Sequence, residues 1–217
     1  MNFLNTHRNF NILYFFIIVT NILFMYVLTD YRMVSKPMIM ASLIGFYIST
    51  ERKQSNAFIM AMIFALFGDI FLMFKNEDFF LLGLGSFLIM QLLYTFTFLK
   101  DRIKDIKVIF INVIPVLLIS SSIMVYLWHD LGSLQLPVLI YTIAISMMVI
   151  SALIRRTSIS WQFPVIIGVI LFMISDAVLA ISKFGNMVTP LTEITIIVTY
   201  MFAQYLIVRG TIEGNAT

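Results

Sequence analysis

Long runs of Leu, Ile, Phe, Val and Met are broken along this chain by short polar joints. A helix spans a bilayer with about 17 to 25 such residues. The pattern predicts eight transmembrane helices: Phe10 to Leu28, Val34 to Ser49, Asn56 to Phe74, Phe79 to Leu99, Ile106 to Trp128, Leu134 to Ile154, Trp161 to Ser182 and Val188 to Val208. The joints read "TDYR", "TERKQS", "KNED", "KDRIKDIK", "HDLGS", "RRTSIS" and "KFGN", and none is long enough to hold a soluble domain. The expected fold is therefore all-α: one eight-helix transmembrane bundle over residues 1–217. No A-x-A-like cleavage site follows the first run, which reads as a retained span rather than a signal peptide.

Composition fixes the solvent. Hydrophobic residues make up 61% of the chain, charged residues only 12%, and the mean hydropathy is +1.00; a soluble domain has about 25% charged residues. With no cysteine, disulfides, thiolate nucleophiles and Cys-ligated metals are excluded. A zinc hydrolase needs about three protein ligands, and the two histidines, His7 and His129, read as an N-terminal tail and a joint. No nucleotide loop, serine-nucleophile motif or nucleic-acid surface is present. The expectation is no cofactor, no metal and no nucleic acid, with the lipid bilayer as the surrounding partner.

Charge sets the orientation. With eight helices, one side of the membrane holds Arg8, Arg52, Lys53, Lys100, Arg102, Lys104, Lys107, Arg155, Arg156 and Arg209, and the other holds Arg32, Lys36, Lys75 and Lys183. The positive-inside rule then places both termini in the cytoplasm, and a bacterial inner membrane is the expected location. Tyr31, Trp128 and Trp161 fall at span ends, where amphipathic rings favour the interface.

Two carboxylates interrupt this pattern. Asp69 lies in "FALFGDIFLMF" and Asp176 in "LFMISDAVLAISKF", on helices predicted to run in the same direction. Asp69 precedes Lys75 by six residues and Asp176 precedes Lys183 by seven; both carboxylates then lie about 10 Å below the outer interface, at roughly 1.5 Å per residue. A lone membrane aspartate is often a packing residue, but a charge at this depth is costly. Two at one depth, each after a small residue (Gly68 and Ser175), point to a shared role. Lys36, in "VSKPMIM", is the obvious counter-charge, although alone it reads as a snorkelling lysine with a first-turn proline beside it.

Other polar positions fall at helical spacing. Glu193, Ile197, Tyr200 and Gln204 share one stripe of the last helix, Gln91 and Tyr94 share a face of the fourth, and Tyr141 lies in the outer half of the sixth. Membrane tyrosines are usually structural, and Glu193 is near enough to a helix end to reach interfacial water. Superposing Asp69 on Asp176 aligns Leu72 with Leu179, and each helix is followed by one bearing Gln and Tyr, which suggests a 4+4 internal repeat.

Taken together, "KP" in the second helix, "GD" in the third, "GLGSFLIMQLLY" in the fourth, "GVILFMISDAVLAISKF" in the seventh and "YMFAQYLIVRG" in the eighth resemble the YhhN family, whose animal members are lysoplasmalogenases. The resemblance covers nearly the whole chain; the family often carries histidine where this chain has Gln91. It implies an eight-helix enzyme that hydrolyses the vinyl ether of a lysophospholipid, releasing a fatty aldehyde and a glycerophospho head group. Such chemistry needs one protonated acid and one ionised base, which paired carboxylates supply. Asp69 and Asp176 are the expected catalytic pair. Lys36, Gln91, Tyr94, Tyr141, Tyr200 and Gln204 are expected to hold the water or head group, with the tail among Met and Phe side chains.

An intramembrane aspartyl protease is disfavoured because Leu66 breaks its G-x-G-D motif. The alternative that stays open is a proton-coupled small-molecule or lipid transporter whose aspartates bind protons.

Overall fold

The computed structural model describes residues 3–27, 31–51, 53–74, 76–101, 106–155, 159–185 and 187–215, with side chains except at 3–6, 101, 106, 108, 159–161 and 214–215. Among these, eight α-helices follow in order: α1 Phe3–Tyr26, α2 Arg32–Thr50, α3 Asn56–Phe71, α4 Glu77–Phe98, α5 Ile106–Leu127, α6 Gln135–Leu153, α7 Ile159–Phe184 and α8 Pro190–Asn215. Short 3-10 turns follow α4 and precede α6. Of the residues used to orient the chain, Arg52, Lys75, Arg102, Lys104 and Arg156 lie outside the described residues, as does the Trp161 side chain.

Six described helices, α1 and α4 to α8, are long and apolar enough to cross a membrane, and the protein is a multi-pass helical membrane protein. The exceptions are α2 and α3. α2 has 19 residues but opens with Arg32, Ser35 and Lys36; α3 is apolar but only 16 residues long, against an expected 19.

Local chemistry explains several boundaries. Ser55 caps α3 by accepting from the Phe58 N–H, and Asn76 Oδ1 accepts from the Asp78 N–H at 2.8 Å just ahead of α4. Thr189 Oγ1 accepts from the Thr192 N–H at 3.1 Å, with Pro190 at the first position of α8; a hydroxyl cap followed by proline starts a helix efficiently. α8 also runs seven residues beyond the predicted end at Val208, and the Arg209–Glu213 ion pair, one turn apart, supports that extension.

The chain divides into two compact units, Met1–Met90 and Gln91–Thr217, with the division inside α4. In the first, α2 packs between α1 and α3. Its buried stripe is Ser35, Ile39, Met40, Leu43, Phe46 and Tyr47, a helical period. Phe10 stacks on Phe46 with ring centroids 3.8 Å apart. Asn21, on α1, donates to the Ser35 carbonyl at 2.6 Å. His7, expected in a tail, is in α1, buried edge-on to the Phe46 ring. α3 meets α4 where Gly68 lies under Phe87; a Cβ there would be 2.6 Å from the ring.

In the second unit, α5 packs on α6, α6 on α7 and α7 on α8. The α7 to α8 contact is the closest, because Gly168 offers no side chain: a Cβ would sit 2.9 Å from the Ala203 carbonyl and 2.8 Å from Ile207 Cγ1. Ser175 adds a bond of 2.9 Å from its hydroxyl to the Ile196 carbonyl.

Candidate functional site

Each unit holds one of the two singled-out aspartates. On α3 the buried positions are Phe58, Ala61, Met62, Ala65, Gly68 and Asp69, so Asp69 belongs to the stripe facing inward, away from lipid. It is 1% exposed. Lys36, on α2, lies across from it, with Nζ 3.7 Å from Oδ1.

This pairing and the start of α2 correct one reading of Lys36 and one of Pro37. The Lys36 side chain is 13% exposed and ends on a carboxylate, so it does not snorkel to the interface. The neighbouring Pro37 does not open the helix. α2 begins at Arg32, which puts Pro37 in the second turn, where its missing N–H leaves the Met33 carbonyl without its helical donor.

The second unit's selected residues lie on α4, α6, α7 and α8. Tyr141, on α6, donates its hydroxyl to Oδ2 of Asp176, on α7. Asp176 is only partly buried, unlike Asp69. Gln91, on α4, lies beside the Tyr141 hydroxyl and is fully buried. One turn on, Tyr94 donates to Gln204 Oε1 on α8 at 3.1 Å.

The sequence-selected residues of this unit form two groups, Tyr141 and Asp176 with Gln91 beside them, and Tyr94 with Gln204, with Gln91 and Tyr94 one turn apart on α4. Tyr200 lies a turn from Gln204 and is buried, its ring 6.0 Å from that of Phe172. Glu193 occupies the first turn of α8, where a carboxylate complements the helix dipole.

Sequence reasoning missed the links made through backbone and small hydroxyls. Ser175, a small residue by its place in the sequence, also donates to the Ile196 carbonyl of α8 beside Asp176. A separate groove of about 510 Å³ lies between α5 and α6, lined by Met124, Trp128, Thr142 and Ser146 among others. Tyr141 is not among its lining residues. Within its lining, the hydroxyls of Ser120 and Ser146 are 2.7 Å apart.

The YhhN family model matches residues 31–211, a stretch that includes both aspartates, Lys36, Gln91, Tyr94, Tyr141, Tyr200 and Gln204. The chain belongs to the YhhN family. Two proteins named lysoplasmalogenase, from Mycobacterium bovis and Mycobacterium tuberculosis, are each 29% identical to this YhhN chain over 142 residues, which is 63% of the chain. The match spans only about half, 52%, of each relative's length. No solved structure matches the chain.

Proposed function

We propose that this YhhN protein is a lysoplasmalogenase-like hydrolase of the membrane, acting on a lysophospholipid that carries a vinyl ether. Family membership and the named function of the two mycobacterial relatives support the reaction class. The observation that carries the site is the Tyr141–Asp176 pair: a carboxyl on a partly buried residue whose one oxygen is engaged by a phenol, leaving the other for substrate.

The reaction adds water across R–CH=CH–O–R′. Asp176, as the acid, gives a proton to the β-carbon, and the double-bond electrons form the new C–H bond. The resulting oxocarbenium ion takes up water, whose proton passes to a base. The hemiacetal then collapses to the aldehyde R–CH₂–CHO and the alcohol HO–R′, here glycerophosphoethanolamine or glycerophosphocholine.

Asp69 is proposed as the base, because an ammonium partner favours the ionised carboxylate. Its coupling to Asp176 rests on their matched depth in the sequence. Tyr94, Gln204 and Tyr200 supply hydroxyl and amide groups for the head group. With both termini cytoplasmic, as the basic residues suggest, substrate enters from the outer leaflet.

The test is aldehyde release by the purified protein from a lysoplasmalogen and from its saturated alkyl ether analogue. Release from the vinyl ether alone is expected, since only a double bond can be protonated to an oxocarbenium ion. No release from either lipid overturns the proposal. Substrate uptake by proteoliposomes without aldehyde would instead favour a transporter.

A further inference from the structure

Gln91 differs from the polar side chains around it. The Tyr94 hydroxyl donates to Gln204, the Tyr141 hydroxyl to Asp176, and the Ser175 hydroxyl to a backbone carbonyl. Gln91 is 0% exposed; its Nε2 has the oxygen of the Tyr141 hydroxyl beside it, and its Oε1 makes no hydrogen bond among the described residues. The Tyr141 hydroxyl gives its proton to the carboxylate, so it can accept from the amide N–H but has no donor left for Oε1. Buried side-chain amides are normally satisfied, because leaving one unpaired is destabilising.

The chemistry of an amide narrows what it awaits. A carboxamide offers a donor and an acceptor side by side, so its best partner is a neutral group that both accepts and donates. A phosphate oxygen and an ether oxygen only accept, and an alkyl tail does neither. On a single-chain ether lipid, the group that does both next to the ether is the free glycerol hydroxyl, on the carbon adjoining the ether-bearing one. A two-chain lipid has that oxygen acylated and has lost the donor.

We propose that Gln91, beside the Tyr141–Asp176 pair, reads this free hydroxyl and makes the site specific for single-chain lipids. The inference deepens the proposed hydrolase reading by naming what excludes the two-chain substrate. It assigns Gln91 to specificity rather than proton transfer. A site built to hydrogen-bond a hydroxyl discriminates strongly against analogues lacking it, because the buried amide is then left unpaired.

The test separates this inference from the hydrolase reading by using a lipid that cannot be cleaved. Binding of a saturated 1-O-alkyl glycerophosphocholine with a free 2-hydroxyl is compared with that of its 2-deoxy analogue, for the wild type and Gln91→Met in nanodiscs. The wild type is expected to prefer the hydroxyl lipid by about tenfold or more, the scale of one hydrogen bond. In Gln91→Met the two affinities should converge. The ligand-free variant should melt at or above the wild-type temperature, because a buried amide with an unpaired oxygen has been replaced by an apolar side chain of similar size.

Equal wild-type affinities, absence of binding, or preference retained in Gln91→Met overturns the inference. So does a variant that melts several degrees lower or fails to fold, since its amide would then be satisfied within the protein. Aldehyde release from a lysoplasmalogen judges the hydrolase reading separately.

Discussion

Asp69 and Asp176 occupy like positions, each after a small residue and each a few residues before a lysine, but the two units surround them differently. Asp69 is fully buried and faces the ammonium of Lys36; Asp176 is a partly buried residue held by the phenol of Tyr141. A cation offsets a full charge inside the protein, whereas a phenol only orients one carboxylate oxygen. The first setting suits a carboxylate that stays ionised, and the second one that meets substrate. Even the preceding residues diverge: Gly68 makes room for the Phe87 ring, while Ser175 bonds to the next helix.

Replacing each carboxylate by its amide tests this contrast most severely. Asp176→Asn should lower turnover about 10²-fold or more while the protein stays folded, because general acid catalysis contributes on that scale. Asp69→Asn should lose activity comparably, and the double mutant should be little worse than the poorer single mutant if the two act as one unit. The wild-type pH profile should then be bell-shaped, with apparent constants that belong to the pair. Normal turnover in folded Asp69→Asn would reduce Asp69 to a structural ion-pair partner. Full activity in Asp176→Asn would remove the proposed acid.

Stability should separate the two sites next. Removing one member of a buried ion pair leaves the other charge uncompensated, which costs roughly 3 to 5 kcal/mol. Lys36→Met and Asp69→Asn should each destabilise the protein on that scale, and the double mutant should recover much of the loss. Asp176→Asn should cost far less. Urea or thermal unfolding in detergent reads all four, and equal losses at both aspartates would erase the distinction.

A smaller effect is expected at Tyr141. Tyr141→Phe removes a hydrogen bond to the protonated carboxyl, worth about 0.5 to 1.5 kcal/mol, and turnover should fall up to about tenfold with the fold retained. Unchanged kcat and KM would mean that the phenol does not orient Asp176 for reaction.

The smallest changes concern the neighbouring small residues. Gly68→Ala drives a methyl into the Phe87 ring, and overpacking of this kind costs about 1 to 3 kcal/mol unless the ring moves aside. Ser175→Ala forfeits one bond to the Ile196 carbonyl, about 1 kcal/mol. Melting temperatures should rank Gly68→Ala below Ser175→Ala, and the reverse order would show that the ring yields easily.

The helices were legible because spanning a bilayer demands long apolar runs, and polar joints stand out against them. Their ends were less legible. α8 continues into a polar segment because Arg209 and Glu213 pair one turn apart, a term that hydropathy does not count. α3 stops three residues before its apolar run does, since apolar character extends through the turn that follows. Asp69, Asp176, Gln91, Tyr94, Tyr141 and Gln204 could be singled out because polar atoms are conspicuous in a membrane helix. Asn21 and Ser175 were missed as hydrogen-bonding partners because they reach backbone carbonyls, whose positions depend on how neighbouring helices pack.

By itself, the sequence determined the solvent, the helical architecture, the absence of cysteine chemistry and which polar residues stand within apolar runs, since each follows from composition or local period. Only the tertiary structure decided the partners. A helix states which face a side chain occupies, but the packing of its neighbours decides what that face meets. That packing gives Lys36 to Asp69, Tyr141 to Asp176 and Tyr94 to Gln204, and leaves Oε1 of Gln91 buried without a bonded partner among the described residues.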